Sequence, residues 1–495
     1  MTSEALERLE TGVPYLDRIL GGGLLRRTVA MIIGAPGTGK TMLSLQIAFH
    51  NASCGARVLY LTGYSETHDK LITHNSGLSF FAPDLIGQQI QLGSLPDLLR
   101  EGAEETVDAI VETAHVQHAS LVVLDGFRSM RGFMADDQEA VHFLYSLGAK
   151  LALLGATTLV NIEGDAEETD RRPEATVCDA VIVLRRERSH SRHRRLLEGL
   201  KLRGAAPLEG SHPFALEPTG FTIFPRFETM AAATEPTWKP GRAAFGIPNL
   251  DALIGGGLNV ATSTLVAGTP GVGKTTLGLH FLAEGARAQE PGLFLGFMES
   301  PAQLQEKARM FGIDLRATAG AGLVHFLVLR GHDLEADEIA MLLSQEIERR
   351  GVRRLVIDSA AEVQRSVGFQ GRVPDFLSAL VSYLRGREVT SYLTLDVPTI
   401  LGPELELADT SLSTFAENLL LLRQVEFLGR LHSVLSVMKM RFSDHERAIY
   451  EHTITPNLGF QIVGPAPLGE GLLTGVPRVL TEEPHTQDHT RKSKA

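Results

Sequence analysis

Cysteine is scarce in this 495-residue chain, which carries two, Cys54 and Cys178. Two thiols cannot build a disulfide framework or a zinc site. Both are therefore expected to be small buried hydrophobes. Tryptophan is scarcer still, with a single copy at Trp238. Positive charge is in deficit, with 47 Lys and Arg against 59 Asp and Glu and a formal charge of -12. Such a chain does not hold nucleic acid through its net field, and only a local basic lining could do so. Long apolar runs are missing as well: nowhere do 18 apolar residues follow one another, so no spanning helix is expected. The opening MTSEALERLETG has no basic stretch followed by an apolar one, and the expected location is the cytoplasm. What the chain does have is a 43% hydrophobic and 21% charged composition, that of a soluble globular protein with sizeable cores.

It also repeats itself. Length suggests about three domains at roughly 150 residues each, but internal similarity gives two. TGVPYLDRILGGGL, from Thr11, returns as FGIPNLDALIGGGL, from Phe245. Gly12 maps to Gly246 and Asp17 to Asp251, and GAPGTGKT (Gly34 to Thr41) returns as GTPGVGKT (Gly268 to Thr275), at an offset of 234. LTGYSETHDKL around Glu66 matches LGFMESPAQLQ around Glu299, and LVVLDGFRSM around Asp125 matches LVIDSAAEV around Asp358, at 233. GLKLRG, with Lys201 and Arg203, matches SVMKMRF, with Lys439 and Arg441, at 238. Between the copies AAATEPTWKPGR (Ala231 to Arg242) is small, polar and proline-bearing, a linker composition. The expected layout is an N-terminal domain over 1–232, a linker over 233–243, a C-terminal domain over 244–470 and a disordered polar tail over 471–495.

Within each copy apolar runs alternate with longer helical patterns. TVAMIIG (Thr28 to Gly34), ARVLYLT (Ala56 to Thr62), SLVVLD (Ser120 to Asp125) and ATTLV (Ala156 to Val160) read as buried parallel strands joined by crossover helices. The predicted fold is α/β, a mostly parallel sheet flanked by helices, built twice. Ligands then belong at the carboxyl ends of the strands.

G-x-x-x-x-G-K-[ST] follows a strand and opens a helix in both copies, the context in which it binds nucleotide. Gly34, Gly37 and Gly39, with Thr38, Thr41 and Met42, would close backbone N–H groups around phosphate oxygens; Gly268, Gly271, Val272, Gly273, Thr275 and Thr276 would do so in the second copy. Lys40 and Lys274 are the expected β- and γ-phosphate ligands, and Thr41 and Thr275 the expected magnesium hydroxyls. Asp125 and Asp358 end apolar strands where a carboxylate holds that metal, although an aspartate there can also cap a turn. Glu66 and Glu299 follow the second strand and could orient the attacking water, or simply favour a helix entry. The Lys-x-Arg pairs, Lys201/Arg203 and Lys439/Arg441, suggest a γ-phosphate sensor or an arginine finger reaching a neighbour's nucleotide. RRERSHSRHRR (Arg185 to Arg195) has no interleaved aromatics, so it is expected to form a solvated hairpin or a contact with an acidic neighbouring subunit rather than a nucleic-acid site.

Two phosphate loops, the P-x-LD-x-x-x-GGGL entry, the glutamate after the second strand, the strand-ending aspartate and K-L-R/K-M-R together resemble the KaiC family of tandem RecA-like ATPases over about residues 10 to 465. The resemblance implies a hexamer of two stacked rings with ATP at subunit interfaces, slow hydrolysis in the N-terminal ring, and autokinase and autophosphatase activity in the C-terminal ring. It also implies a signalling role through protein partners, and it places Ser413 and Thr414 on the family's phospho-acceptors. Better-known members carry two successive glutamates after the second strand, where this chain has Ser65-Glu66 and Met298-Glu299. Hydrolysis would then rest on Glu66 and Glu299. A family arginine before the second Lys-x-Arg is Ser433 here, with Arg430 nearby.

Overall fold

A computed structural model describes residues 6–63, 68–100, 102–132, 134–164, 169, 172–189, 192–230, 239–315, 322–329, 334–397, 414–427, 429–466, 469–470 and 478–479. Contacts divide the chain into two compact units, Met1–Met230 and Ala231–Ala495.

The N-terminal unit is built on β1 (Val29–Gly34), β2 (Val58–Thr62), β3 (Ile90–Ser94), β4 (Leu121–Asp125), β5 (Thr157–Glu163), β6 (Ala180–Ser189), β7 (Arg192–Leu202), β8 (His212–Glu217) and β9 (Gly220–Ile223). They form one sheet in the order β9-β8-β7-β6-β1-β5-β4-β2-β3. Pairing is parallel from β6 through β1 to β3 and antiparallel from β6 to β9. Every residue of β1 is buried, because helices cover both faces of its sheet. Ala30 and Ile32 enter one core with Ile47 and Phe49, while Met31 and Ile33 enter the other with Phe143 and Leu147.

The C-terminal unit repeats this plan with β10 (Ser263–Gly268), β11 (Gly292–Gly296), β12 (Val324–Val328), β13 (Arg354–Asp358), β14 (Thr390–Asp396), β15 (Asn418–Phe427), β16 (Arg430–Met440), β17 (Tyr450–Thr455) and β18 (Gly459–Pro465). Their order, β18-β17-β16-β15-β10-β14-β13-β11-β12, is the first sheet's strand for strand. The chain is thus two tandem RecA-like α/β units. Among the described residues no helix is long and apolar enough to cross a membrane.

The repeated entry motif is structural. Asp17 accepts the Thr11 N–H at 3.0 Å, and Asp251 accepts those of Phe245 and Ile247 at 2.8 and 3.1 Å. Each aspartate pins a turn that leads into the glycine run. Cys178 is buried as expected, and burial pushes its thiol up to about 12. Cys54 corrects the expectation, since it is exposed. It lies one residue beyond a helix end, where the chain turns away from the core.

The C-terminal unit holds two histidines, His280 and His452, in buried surroundings. His280 Nε2 accepts the Phe460 N–H at 3.1 Å. His452 stacks on the Phe460 ring at 4.6 Å, with Nε2 3.1 Å from the Val272 carbonyl and a buried, unpaired Nδ1. Burial lowers both to about 4. The unfolded chain therefore binds these protons first, between an ordinary pKa of about 6.5 and the folded value. Stability should be fully present above pH 6.5 and fall as the pH drops toward 4. Calorimetric melts between pH 7.5 and 4 should show the C-terminal transition moving down, and moving less in a His280→Gln variant.

Candidate functional site

Each phosphate loop leaves the central strand of its sheet and enters a helix, α1 (Lys40–Ser53) or α2 (Lys274–Arg287). Gly39 and Gly273 cap these helices with φ of 108° and 104°, a left-handed conformation that favours glycine. Gly34 and Gly268 are required by contact: a Cβ would lie 2.5 Å from the Leu184 carbonyl oxygen in one and 2.3 Å from that of Leu422 in the other. Thr38 is buried and donates to the Ala35 carbonyl at 2.8 Å. Val272 and Thr276 are buried, whereas Thr41, Met42 and Thr275 are half-buried.

The lysines fold back over these loops. Lys40 Nζ donates to the carbonyls of Gly34 and Ala35 at 2.8 and 3.1 Å, and Lys274 Nζ to those of Gly268 and Thr269, both at 2.8 Å. Burial pulls the Lys40 ammonium below the usual lysine range, opposed by the charges of Glu163 and Asp125. These carbonyl contacts are weaker than those an anion would offer, and the Lys274 ammonium also pairs with the Asp396 carboxylate at 2.7 Å.

Asp358 accepts the Thr275 hydroxyl at 2.7 Å and the Thr394 hydroxyl at 2.6 Å. The loop hydroxyl and the strand-end carboxylate therefore meet, an all-oxygen donor pair suited to a hard cation such as magnesium. In the N-terminal unit Asp125 accepts from Tyr60 at 2.8 Å and from the Asn161 amide at 2.9 Å, and Ser44 joins both partners at 2.9 and 2.8 Å. Sequence reasoning did not single out Tyr60, Asn161 or Ser44. It also missed Glu163 and Asp396, which end β5 and β14 level with Gly34 and Gly268. Their shared offset of 233 was the available signal.

Glu299 follows β11, half-buried and ion-paired with Lys307, beside a Met298 that is 79% exposed. Glu66 and Ser413 lie outside the described residues, and Thr414 is exposed. The Lys-x-Arg pairs stand away from their own loops. Lys201 is in register with Val181 and Leu202 with Ala180, at the start of β1, whereas Leu184 pairs with Gly34 at its end. The separation along the sheet is roughly 10 to 13 Å at 3.3 Å per residue. Lys201 Nζ donates to the carbonyls of Ala175 and Thr176, and Arg203 to Asp179, all at 3.0 Å. Asp179 also receives the Val29 N–H at 3.1 Å. The second copy agrees: Lys439 donates to the Ala416 carbonyl at 2.8 Å, and the Arg441 N–H to that of Glu417 at 3.1 Å. These cations do not line the phosphate loop of their own unit.

The described residues of the basic run lie on the paired strands β6 and β7, where Arg185 pairs with Glu198 at 3.3 Å and Arg195 donates to the Gly37 carbonyl at 3.0 Å. Part of it therefore buttresses the phosphate loop. A cleft of about 790 Å³ opens there, lined among others by Ala35, Pro36, Arg128, Glu163, Arg185 and Arg186.

Comparison with known proteins agrees with this doubled arrangement. A family model for the KaiC ATPase matches residues 9–228 and again 243–466. A circadian clock oscillator protein KaiC from Rippkaea orientalis is 27% identical over 466 residues, covering 92% of this chain and 88% of that protein. KaiC 1 from Synechocystis is 28% identical over 468 residues, covering 91% and 88%, and KaiC from Prochlorococcus marinus is 26% identical over 493, covering 97% of both. With a phosphate loop, a buried lysine and a strand-end aspartate set at the same sheet position in both halves, the chain belongs to the KaiC family of ATPases.

Proposed function

We propose that this protein is an ATP-hydrolysing homohexamer whose two units each bind ATP, and that its C-terminal unit phosphorylates its own Ser413 and Thr414. The observation that carries the nucleotide reading is the meeting of Thr275 with Asp358 beside Lys274. Thr275 and Asp358, and in the other unit Thr41 and Asp125, would hold magnesium, which would neutralise negative charge on the nucleotide phosphates. Lys40 and Lys274 leave their loop carbonyls for the β- and γ-phosphates. Glu66 and Glu299 orient the attacking water, and for Glu299 this requires release from Lys307. Lys201/Arg203 and Lys439/Arg441 act at the nucleotide of a neighbouring protomer, a reading supported by their distance from their own loops. The hexamer would report its nucleotide and phosphate state to partner proteins in the cytoplasm. Net acidity weighs against a nucleic-acid motor.

A second reading, an ATP-assembled scaffold with weak or no kinase activity, draws on exposed Met298 and tethered Glu299. Incubation with γ-labelled ATP followed by phosphosite mapping separates the two. Label should appear on Ser413 or Thr414 and vanish in a Ser413→Ala/Thr414→Ala variant. Label that persists in the variant removes Ser413 and Thr414 as the acceptors, and label that appears nowhere removes the kinase and leaves the scaffold.

A further inference from the structure

The two units hold their phosphate-loop lysines differently, and the difference lies in an acid outside the loop motif. The strand beside β1 ends on Glu163, level with Gly34, and the strand beside β10 ends on Asp396, level with Gly268. In the N-terminal unit Glu163 accepts from Arg128 at 2.8 Å. Lys40 there donates to loop carbonyls. Arg128 lies three residues beyond Asp125, and the residue three beyond Asp358 is Ala361. The C-terminal unit has no arginine at that position, and its acid takes the lysine instead: Asp396 Oδ1 lies 2.7 Å from Lys274 Nζ. The Lys274 side chain is 7% exposed and that of Asp396 is 53% exposed. A nearly buried cation is thus neutralised by a carboxylate standing at the solvent side of the loop.

We propose that Asp396 is a displaceable counter-ion that competes with ATP phosphates for Lys274, and that Arg128 is a positioning residue that keeps Glu163 from competing for Lys40 in the same way. The proposal rests on the reading of both loops as ATP sites. The lysine offers three N–H donors, and in the C-terminal unit one faces Asp396 while the others face two loop carbonyls. A phosphate that claims this ammonium must break the ion pair and settle beside a carboxylate of like charge, which opposes binding twice over. In the N-terminal unit the acid is already paired with a guanidinium, and the arriving phosphate displaces carbonyls alone. Charge rather than shape is decisive, so the amide Asp396→Asn is the informative change.

Photo-crosslinking of the full chain with 8-azido-ATP over a concentration series, with labelled peptides assigned to each unit by mass spectrometry, reads the two sites separately. Asp396→Asn should lower the half-saturating concentration of the C-terminal unit by about 3- to 10-fold and leave the N-terminal unit unchanged, the scale expected for a partly exposed ion pair. Ala361→Arg should act in the same direction. Arg128→Ala should raise the N-terminal value by a similar factor, and adding Glu163→Gln should restore it. An unchanged or raised C-terminal value in Asp396→Asn overturns the proposal, as does an Arg128→Ala defect that Glu163→Gln fails to restore. If the unaltered chain shows no labelling that ATP can compete away, the ATP reading falls and takes this proposal with it; normal labelling without the shift overturns the proposal alone.

Discussion

A Lys40→Ala chain should lose ATP turnover in its N-terminal unit by about 10²- to 10³-fold while its C-terminal unit still cross-links nucleotide, and Lys274→Ala should do the reverse. The magnitude is that of removing one preorganised donor from a developing negative charge. It applies at each site because each ammonium is nearly buried, 9% exposed for Lys40 and 7% for Lys274, and is held by carbonyls a few ångströms from where phosphate would sit. Lys40 is held by carbonyls alone and Lys274 adds one ion pair to a half-exposed Asp396, an interaction worth little to stability, so both variants should remain folded, which near-unchanged melting would verify. Steady-state phosphate release measured on each single variant and on the double variant partitions total turnover between the units. If the double variant keeps more than a small fraction of the activity, the catalytic site lies elsewhere. If one single variant loses all activity while the other loses none, one unit binds nucleotide without hydrolysing it, as the scaffold reading requires for a half-silent chain.

How much of this was open to sequence reasoning depended on whether the signal was local. The phosphate loops could be read because their ligands are neighbours in the chain, and their glycines answer to backbone geometry and to one contacting carbonyl each. The parallel strands could be read because burial on both faces removes alternation and leaves runs such as VAMIIG. The duplication fixed the rest of the topology, since both sheets follow one order. Contacts between distant positions were hidden. Asp125 is oriented by Tyr60 and Asn161, 65 and 36 residues away, and the second copy has Phe294 and Thr394 at those places, so comparing the copies does not flag them. Asp17 and Asp251 could be matched as a repeat, but that each pins a turn is visible only in the structure. The Lys-x-Arg pairs were recognisable as a repeated pattern, but their distance from the loop is a matter of strand register, and a β-bulge precedes Lys201 in that register. Lys307 beside Glu299 lies one helix away along the chain, and nothing in the motif announces that the expected water-orienting carboxylate is already engaged.

Register also yields a test with a qualitative outcome. Arg203 is 58% exposed and tied to Asp179 at the end of the sheet remote from its own loop. If it acts on a neighbour's nucleotide, Arg203→Ala and Lys40→Ala chains are each defective at every N-terminal site of their own homo-oligomer, by about 10³-fold for a cation acting as an arginine finger. Their defects lie on opposite sides of one interface. Mixing the two, in a Lys274→Ala background that silences the C-terminal unit, should create interfaces with an intact loop from one chain and an intact arginine from the other. Random exchange of equal amounts gives about a quarter of such interfaces in a closed ring. Turnover should therefore recover to roughly a quarter of that of the Lys274→Ala parent, far above either variant alone, and should do so only after subunit exchange. An arginine serving its own nucleotide cannot be supplied by another chain, and the mixture would then stay as inactive as its components. Arg203→Lys sharpens the result: it keeps the charge but loses the planar fork, so partial activity in the homo-oligomer would indicate charge neutralisation, whereas a loss matching alanine would indicate bidentate contact with phosphate.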